Sequence, residues 1–363
     1  MPARSAAASR VTEILDQLEG KKSPGELSIG RDVVRVSHLD KVLWPEAKPA
    51  ITKRDLLRYL ARVSPWLLPH LDNRPVFVSR FPDGVKGKSF FQKVWEDRPD
   101  YVKTVSIWSS DNDASRDYLR VANLPTLLWL GQMASLELHV WFSRISGGAD
   151  VRGIGANFDR SEETLDGSRL NYPDFLVVDL DSYDYSGREA KGAEPELHRR
   201  GFSRVREVAF ALRELVEPLG LSAFVKTSGR TGLHVYLPIL RRFTFDEVRA
   251  MAETLGSYLA EQRKDVTLNW SVEKRKGKVF FDFNQNVRGK SLASIFSPRR
   301  HPRATVSMPV TWDQLEKVYP TDFTMRTAPD LLEESGDPWS DILDAKANLA
   351  RALGSGKALV PAG

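Results

Sequence analysis

The chain has no cysteine among its 363 residues, so neither a disulfide framework nor a thiolate zinc site is open to it. It is also poor in histidine: the six present are scattered, without the spacing of imidazole metal ligands. Long apolar runs are missing. The most apolar stretch, "LPTLLWLGQMASLELHVWF" (124–142), is interrupted by Gln132, Glu137 and His139, which suits a core helix or strand pair rather than a membrane span. The opening "MPARSAAASRVTEILDQLEG" has no apolar centre of signal-peptide length. Internal repeats and low-complexity tracts are absent too. These gaps lead to the expectation of a cytoplasmic protein without a membrane partner.

What is present suits a globular protein with a real core: 41% hydrophobic residues and nine tryptophans. The length allows one large domain or two ordinary ones. Net charge is a modest +5, but basic residues cluster at "EKRKGK" (273–278), "RGK" (288–290) and "SPRRHPR" (297–303). One such cluster commonly just solvates a surface. Three of them near a carboxylate site would suit phosphates.

Residues 1–30 read as a poorly ordered arm with at most one short helix around 10–19. From 31 to 145, strand-like "DVVRVS" and "RPVFVSRF" alternate with helix-like "TKRDLLRYLARVSPWLLPHL", an N-terminal α+β module. Gly-rich, polar residues 146–173 read as an insertion loop, and 331–363 as a peripheral helical tail. The 174–300 region is the most regular. A strand at 174–181 precedes a helix at 203–216 with Ser203 as its expected N-cap. Strands at 221–227 and 233–240 flank an "SGRTG" turn. A second helix opens at the Thr244…Glu247 capping box, and "KVFFDFN" (278–284) closes the unit. That order is βαββαβ, the split motif of RRM and ferredoxin-like folds. The fold class is therefore α+β. In that fold the strands lie in the order 4-1-3-2, which makes the first and last strands neighbours.

The first strand, "FLVVDLDSYD" (175–184), carries Asp179 and Asp181. Side chains at i and i+2 share a face roughly 6–7 Å apart, and burying unpaired carboxylates is costly. A lone D-x-D often does no more than cap a loop. Here the strand order brings Asp282 alongside, and three such carboxylates suit a pair of hard cations, Mg²⁺ or Mn²⁺. The turn "KTSGRTGLHVY" (226–236) lets backbone N–H groups approach an anion, with Lys226, Ser228, Gly229, Arg230 and His234 as phosphate donors. A plain hairpin with a packed histidine is the competing reading. Just beyond Asp282, "DFNQNVRGKSLASIFSPR" (282–299) offers Gln285, Asn286, Arg288, Lys290 and Arg299, of which the lysine and the arginines are able to offset charge on a leaving pyrophosphate.

Together, "DLD" at 179–181, "SGRTGLH" at 228–234 and the 282–299 segment resemble the polymerase domain of bacterial ligase D, in the archaeo-eukaryotic primase superfamily. The resemblance extends over most of residues 33–330. It implies a two-metal nucleotidyltransferase in which Asp179, Asp181 and Asp282 are catalytic metal ligands. Ser228, Gly229, His234, Lys290, Arg299, Lys226 and His139 would then bind the incoming NTP or dNTP. "HLDKVLWPE" (38–46) and "ITKRDLLRYL" (51–60) resemble the segment whose two lysines hold a 5′-phosphate, which implies Lys41 and Lys53, although extra residues separate them. "RPVFVSRFPDGVKGKSFFQK" (74–93) is similar to the template-stacking segment, implying Phe90 and Phe91; plain core packing is the alternative for either. Arg80, Gln285 and Asn286 are further expected DNA contacts.

The resemblance further implies ribonucleotide incorporation at short gaps or ends, in end joining or excision repair. The 146–173 stretch is longer than usual for the family. With no ligase segment before residue 363, the chain is expected to be a stand-alone member. It would work on DNA gaps or ends bearing a 5′-phosphate, with a separately encoded ATP-dependent ligase and an end-binding protein. A de novo primase, or a non-catalytic DNA-end-binding module, are the other readings to be weighed.

Overall fold

The computed structural model describes residues 2–20, 22–147, 150–190 and 193–354. In the N-terminal half, helix α1 (Pro2–Glu19) and the hairpin β1 (Gly25–Ile29) and β2 (Asp32–Val36) precede the short pair β3 (Val42–Trp44) and β4 (Ile51–Thr52). Then follow α2 (Lys53–Leu71), β5 (Val76–Arg80), β6 (Phe90–Gln92), β7 (Lys103–Ser109), β8 (Ala114–Arg120), α3 (Leu124–Gln132) and β9 (Ser135–Trp141). The second half holds α4 (Glu162–Asp166), β10 (Phe175–Ser182), α5 (Arg199–Val216), β11 (Phe224–Thr227), β12 (Leu233–Pro238) and α6 (Phe245–Gln262). It continues with β13 (Val266–Thr267), α7 (Val272–Arg275), β14 (Val279–Asp282), β15 (Ser291–Ala293), β16 (Pro309–Val310), α8 (Trp312–Leu315), α9 (Ala328–Ser335) and α10 (Leu349–Gly354).

Two six-stranded sheets carry the architecture. One runs β15-β9-β5-β8-β7 with β6 also paired to β5; the other runs β13-β14-β10-β12-β11-β16. In the second sheet β10 lies antiparallel between β12 and β14. Helices α5 and α6 pack against β10. The amphipathic stripe of α5 explains this: Val205, Val208, Ala209 and Leu212 are buried while the opposite face is charged. Leu176, Val178 and Leu180 alternate with Val177, Asp179 and Asp181 along β10, so the two carboxylates share one face.

Several expected boundaries differ. Residues 1–30 do not form a loose arm. Ile14 and Leu18 bury one side of α1, and Leu27 and Ile29 do the same for β1, so a sparse apolar pattern is enough to dock this segment against α2. Helix α5 starts before Ser203, at the His198 N-cap, whose ring accepts from the Gly201 N–H. The insertion contains α4 and buries Phe158, Leu165 and Leu170. The C-terminal segment is not peripheral, since Trp339 packs 5.0 Å from the Tyr236 ring and Lys346 reaches Asp174 at 2.9 Å. The segment after Asp282 is not simply a loop: β15 crosses to the other sheet and pairs with β9. The sheet that contains β10 in turn takes edge strand β16 from beyond residue 300, a position that tolerates Pro309 because an edge needs fewer ladder donors.

A buried ionic hub ties these parts together. The fully buried Asp174 accepts from Arg74 at 2.8 Å, Arg144 at 3.0 Å and Lys346 at 2.9 Å, with Arg241 3.9 Å away. Burial alone would raise its pKa, but the surrounding cations, Arg74 foremost, lower it to about 2.

Candidate active site

The strand register places Asp179 directly opposite Asp282 on one side and His234 on the other. Asp282 is held in place, its Oδ1 accepting from the Asn284 N–H at 2.9 Å and its Oδ2 from Gln285 Nε2 at 2.8 Å. Asp179 is not. Its Oδ1 is buried and accepts no hydrogen bond; His234 Nε2, 3.4 Å away, is near without bonding. Burial raises the pKa of Asp179 well above the carboxylate range, and the neighbouring Asp181 and Asp282 charges add to the effect. Burial also raises Asp181 and Asp282. Uncompensated buried carboxylates of this kind are stable places for cations.

The donor set is all oxygen, which suits Mg²⁺ or Mn²⁺, and the orphaned Asp179 oxygen is a vacant acceptor of the right kind. Among the described residues no group of three His, Asp or Glu side chains is preformed to hold a metal ion. The carboxylates instead lie along two adjacent strands; Asp179 and Asp181, but not Asp282, line a cavity of about 220 Å³ together with His139, Ser228, Arg230 and Arg299, among others. Such a layout leaves part of any ion's shell for substrate oxygens. A larger cavity of about 510 Å³, between α2, β9 and residues 335–344, touches none of the three carboxylates.

The turn after β11 forms the cavity's second wall. Ser228 Oγ accepts from the Arg230 and Gly232 N–H groups, both at 3.1 Å. Gly229 has φ +72°, and a Cβ on Gly232 would sit 2.2 Å from the Leu180 carbonyl oxygen and 2.6 Å from Asp181 Oδ1. Glycine is therefore required where the turn presses on the carboxylate strand. Arg299 reaches in from beyond β15, donating from Nε to Glu137 Oε1 at 3.1 Å and from a terminal nitrogen to the Ser228 carbonyl at 2.9 Å. Glu137 also accepts from the Arg300 N–H at 2.8 Å and lies 3.5 Å from His139. Burial would raise the Glu137 pKa, but Arg299 and His139 hold it far below the usual range. Sequence reasoning singled out His139 and missed Glu137, although their i, i+2 spacing on one strand was a signal that they share a face.

Four expected binding residues have other duties. Lys226 is fully buried, its Nζ held by His234 Nδ1 at 2.7 Å, the Ala293 carbonyl at 2.8 Å and Ser307 Oγ at 2.5 Å, and burial lowers its pKa well below the usual lysine range. It does not line the carboxylate cavity. Asn286 is likewise fully buried and clamps β10, accepting from the Val177 N–H at 2.8 Å and donating to its carbonyl at 2.7 Å. It cannot reach DNA. Gln285 is turned toward Asp282, as described above. Arg80 donates to the Met133 carbonyl and to Gln92 and stacks over Trp95, so its guanidinium serves the protein rather than a ligand. Arg288 is paired with Glu162 and Asp166 of the 146–173 segment. Lys290 is exposed and lines a neighbouring cavity of about 500 Å³ with Phe77, Phe91, Trp141 and Gln285.

On the flank of the site, Phe90 and Phe91 are 53% and 54% exposed, which rules out plain core packing. Phe91 meets the His139 ring at 5.6 Å and the Phe77 ring at 5.7 Å, so this aromatic surface is continuous with the catalytic cavity. Lys41 and Lys53 are neighbours through a backbone bond of 2.9 Å. Lys53 is buried and donates to the Ser37 carbonyl, and burial together with the Lys41 charge lowers its pKa. Lys41 pairs with Asp83 at 2.8 Å.

Known proteins show which family the chain falls in. The model of the LigD primase-polymerase domain matches residues 52–339. The chain is 28% identical over 311 residues to the bifunctional non-homologous end joining protein LigD of Bacillus subtilis, covering 85% of this chain and 44% of that protein. It is 28% identical over 337 residues to the multifunctional non-homologous end joining protein LigD of Pseudomonas aeruginosa, covering 92% of this chain and 36% of that one. The chain thus spans less than half the length of these curated relatives. Among solved structures, the polymerase domain of Mycobacterium tuberculosis ligase D in complex with DNA superposes with a TM-score of 0.70 at 27% identity, covering 86% of this chain and 99% of that one. With a family match running from β4 to the Trp339 segment and a whole solved polymerase domain superposed on it, this chain belongs to the LigD primase-polymerase domain family.

Proposed function

We propose that the protein is a template-directed nucleotidyltransferase that extends a primer strand across short DNA gaps or at ends, on an RRM-like βαββαβ core. The observation that carries this reading is the buried Asp179 Oδ1, which has no hydrogen-bond partner and is set opposite Asp282 beside the Ser228 turn. Asp179, Asp181 and Asp282 would hold two Mg²⁺ or Mn²⁺ ions. Bound ions would activate the primer 3′-hydroxyl and offset charge on the phosphoryl group in flight. The 3′-oxygen bonds to the α-phosphorus of the incoming nucleotide as the α–β bridging bond breaks, releasing pyrophosphate.

The chain's own part is placement. Ser228 with its turn, His234 and Arg299 line the carboxylate cavity and would bind the triphosphate, with Lys290 reaching from the adjoining cavity. Phe90 and Phe91 would stack on template bases, a sequence-tolerant contact. Lys41 and Lys53 would take the 5′-phosphate across a gap, Lys41 exchanging its exposed Asp83 pair for it. Ribonucleotide incorporation, with His139 near the nucleotide, and a role in end joining follow from the same reading. The named relatives and the DNA-bound neighbour support it.

The test is primer extension on gapped DNA with Mg²⁺ or Mn²⁺, offering ribonucleotides and deoxyribonucleotides in parallel. Wild type should extend the primer, and the Asp179→Ala, Asp181→Ala double variant should bind the gap yet add nothing. Synthesis by that variant at the wild-type rate would overturn the assignment.

A further inference from the structure

One of the three basic clusters, at 273–278, takes no part in the carboxylate cavity, and it follows Trp270, which is 65% exposed. A single exposed apolar residue is ordinary, but this one is braced. Arg275 donates to the Asn269 and Trp270 carbonyls, both at 2.8 Å. Its guanidinium lies 3.4 Å from the centre of the Phe280 ring and 5.1 Å from that of Trp270, and the two rings meet at 5.7 Å. One side of the indole is thereby held against the protein while the rest is open to solvent. This platform belongs to the face that carries the carboxylates. Phe280 is directly opposite Asp181 across β10 and β14, and residues so paired share a face. Tyr183, two residues past Asp181, meets Phe280 at 6.2 Å and lines the cavity. An aromatic path therefore runs from the cavity through Tyr183 and Phe280 to Trp270.

Which strand comes this way follows from in-line transfer. His234 and the Ser228 turn lie on the β12 side of β10, and β14 and β13 lie on the other. The attacking oxygen and the leaving pyrophosphate take opposite sides of the phosphorus. With the triphosphate over β12, the 3′-end arrives over β14. Neighbouring strands are about 4.8 Å apart, which puts the indole on the order of 10 Å from Asp181, roughly three nucleotides of a strand. We propose that Trp270 stacks on an unpaired base of a single-stranded DNA 3′-tail, about three nucleotides from its end. The strand assignment rests on the function proposed above; the stacking does not. Bases within a duplex are already stacked on one another, so an exposed indole selects a single strand. The surroundings suit its phosphates. A basin of about 540 Å³ beside the 276–278 turn is lined by Lys264, Lys276 and Lys278, and its lysines and arginines outnumber its carboxylates five to two.

The test is fluorescence anisotropy with a labelled duplex carrying a 3′-tail of about four nucleotides, against the same duplex with a blunt end. Trp270→Ala should raise Kd for the tailed duplex about 10-fold and leave the blunt one unchanged, and Trp270→Phe should stay within about twofold of wild type. An abasic site about three nucleotides from the 3′-end should cost wild type about the same 10-fold and cost Trp270→Ala less than about twofold. Tailed-duplex affinity unchanged in Trp270→Ala, as a surface kept for a protein partner would give, overturns the stacking. So does an equal loss on blunt DNA. A 5′-tail that depends on Trp270 as strongly overturns the strand assignment alone. No synthesis enters these measurements, so the stacking stands or falls separately from the polymerase reading, which primer extension decides. If Trp270→Ala fails to fold, wild type binding the abasic tail as tightly as the intact one still overturns the stacking.

Discussion

Replacing Asp179 with Asn should make the metal-free protein more stable while removing synthesis. Asp179 is 8% exposed, its Oδ1 has no hydrogen-bond partner, and Asp181 and Asp282 stand beside it. Leaving a buried polar oxygen unsatisfied costs about 1–3 kcal/mol, and more when it is charged. An amide removes the like-charge repulsion and keeps the shape. We therefore expect a gain of about 1–3 kcal/mol. With an unfolding entropy of roughly 2.1 cal/mol/K per residue, that gain is about 1–4 °C in melting temperature for a chain of this length. The assay is thermal or urea unfolding in chelator at neutral pH, repeated with millimolar Mn²⁺. Wild type should gain from the ion by mass action and the variant much less. A variant less stable than wild type in chelator, or one gaining equally from Mn²⁺, would refute the view that Asp179 is an unpaired carboxylate kept for a cation.

Two further outcomes follow from the geometry. Asp174→Asn should lose about 3–5 kcal/mol, because it strands the buried Arg74 and the half-buried Arg144 and Lys346 without their counterion. Since folding lowers the Asp174 pKa from 3.8 to about 2, its contribution is complete above about 3.8 and is lost as pH falls toward about 2. The stability gap between wild type and variant, followed by urea titration, should narrow by about 2 kcal/mol over that window; a gap independent of pH would refute the pairing. Phe91→Ala should weaken binding to single-stranded template in gapped DNA by about 1–3 kcal/mol, with Phe90→Ala similar, as measured by fluorescence anisotropy. Unchanged affinity in both would remove the stacking role.

The parts of the site that were legible in the sequence are those fixed by local rules. Alternation along one strand put Asp179 and Asp181 on a common face, and the order of helices and strands set Asp282 beside them. Glycines at 229 and 232 marked a turn that must approach the backbone of β10. What stayed hidden depends on which neighbour a side chain meets. Lys226 and Asn286 carry the same donors whether they face a ligand or the interior. Lys226 faces inward because β15 leaves the catalytic segment to pair with β9 and so presents the Ala293 carbonyl to it. The N-terminal arm was misjudged for a related reason: four buried residues, Ile14, Leu18, Leu27 and Ile29, dock it, too few for composition to register.

The same crossing strand decides how separable the catalytic core is. The expected 174–300 unit holds the three carboxylates and the Ser228 turn, yet the contacts that aim its cations come from outside it. Arg299 is oriented by Glu137 of β9 at 3.1 Å, and Arg288 by Glu162 and Asp166. Lys226 needs Ser307, from beyond residue 300. Removing the N-terminal half would strip β15 of its pairing with β9 and uncover Leu292. It would also leave Arg299, about nine-tenths buried, without its carboxylate. An unpaired buried guanidinium is costly enough to rearrange the wall it belongs to. The site is therefore a property of the junction between the two sheets, and the N-terminal module supplies part of its electrostatics through Glu137.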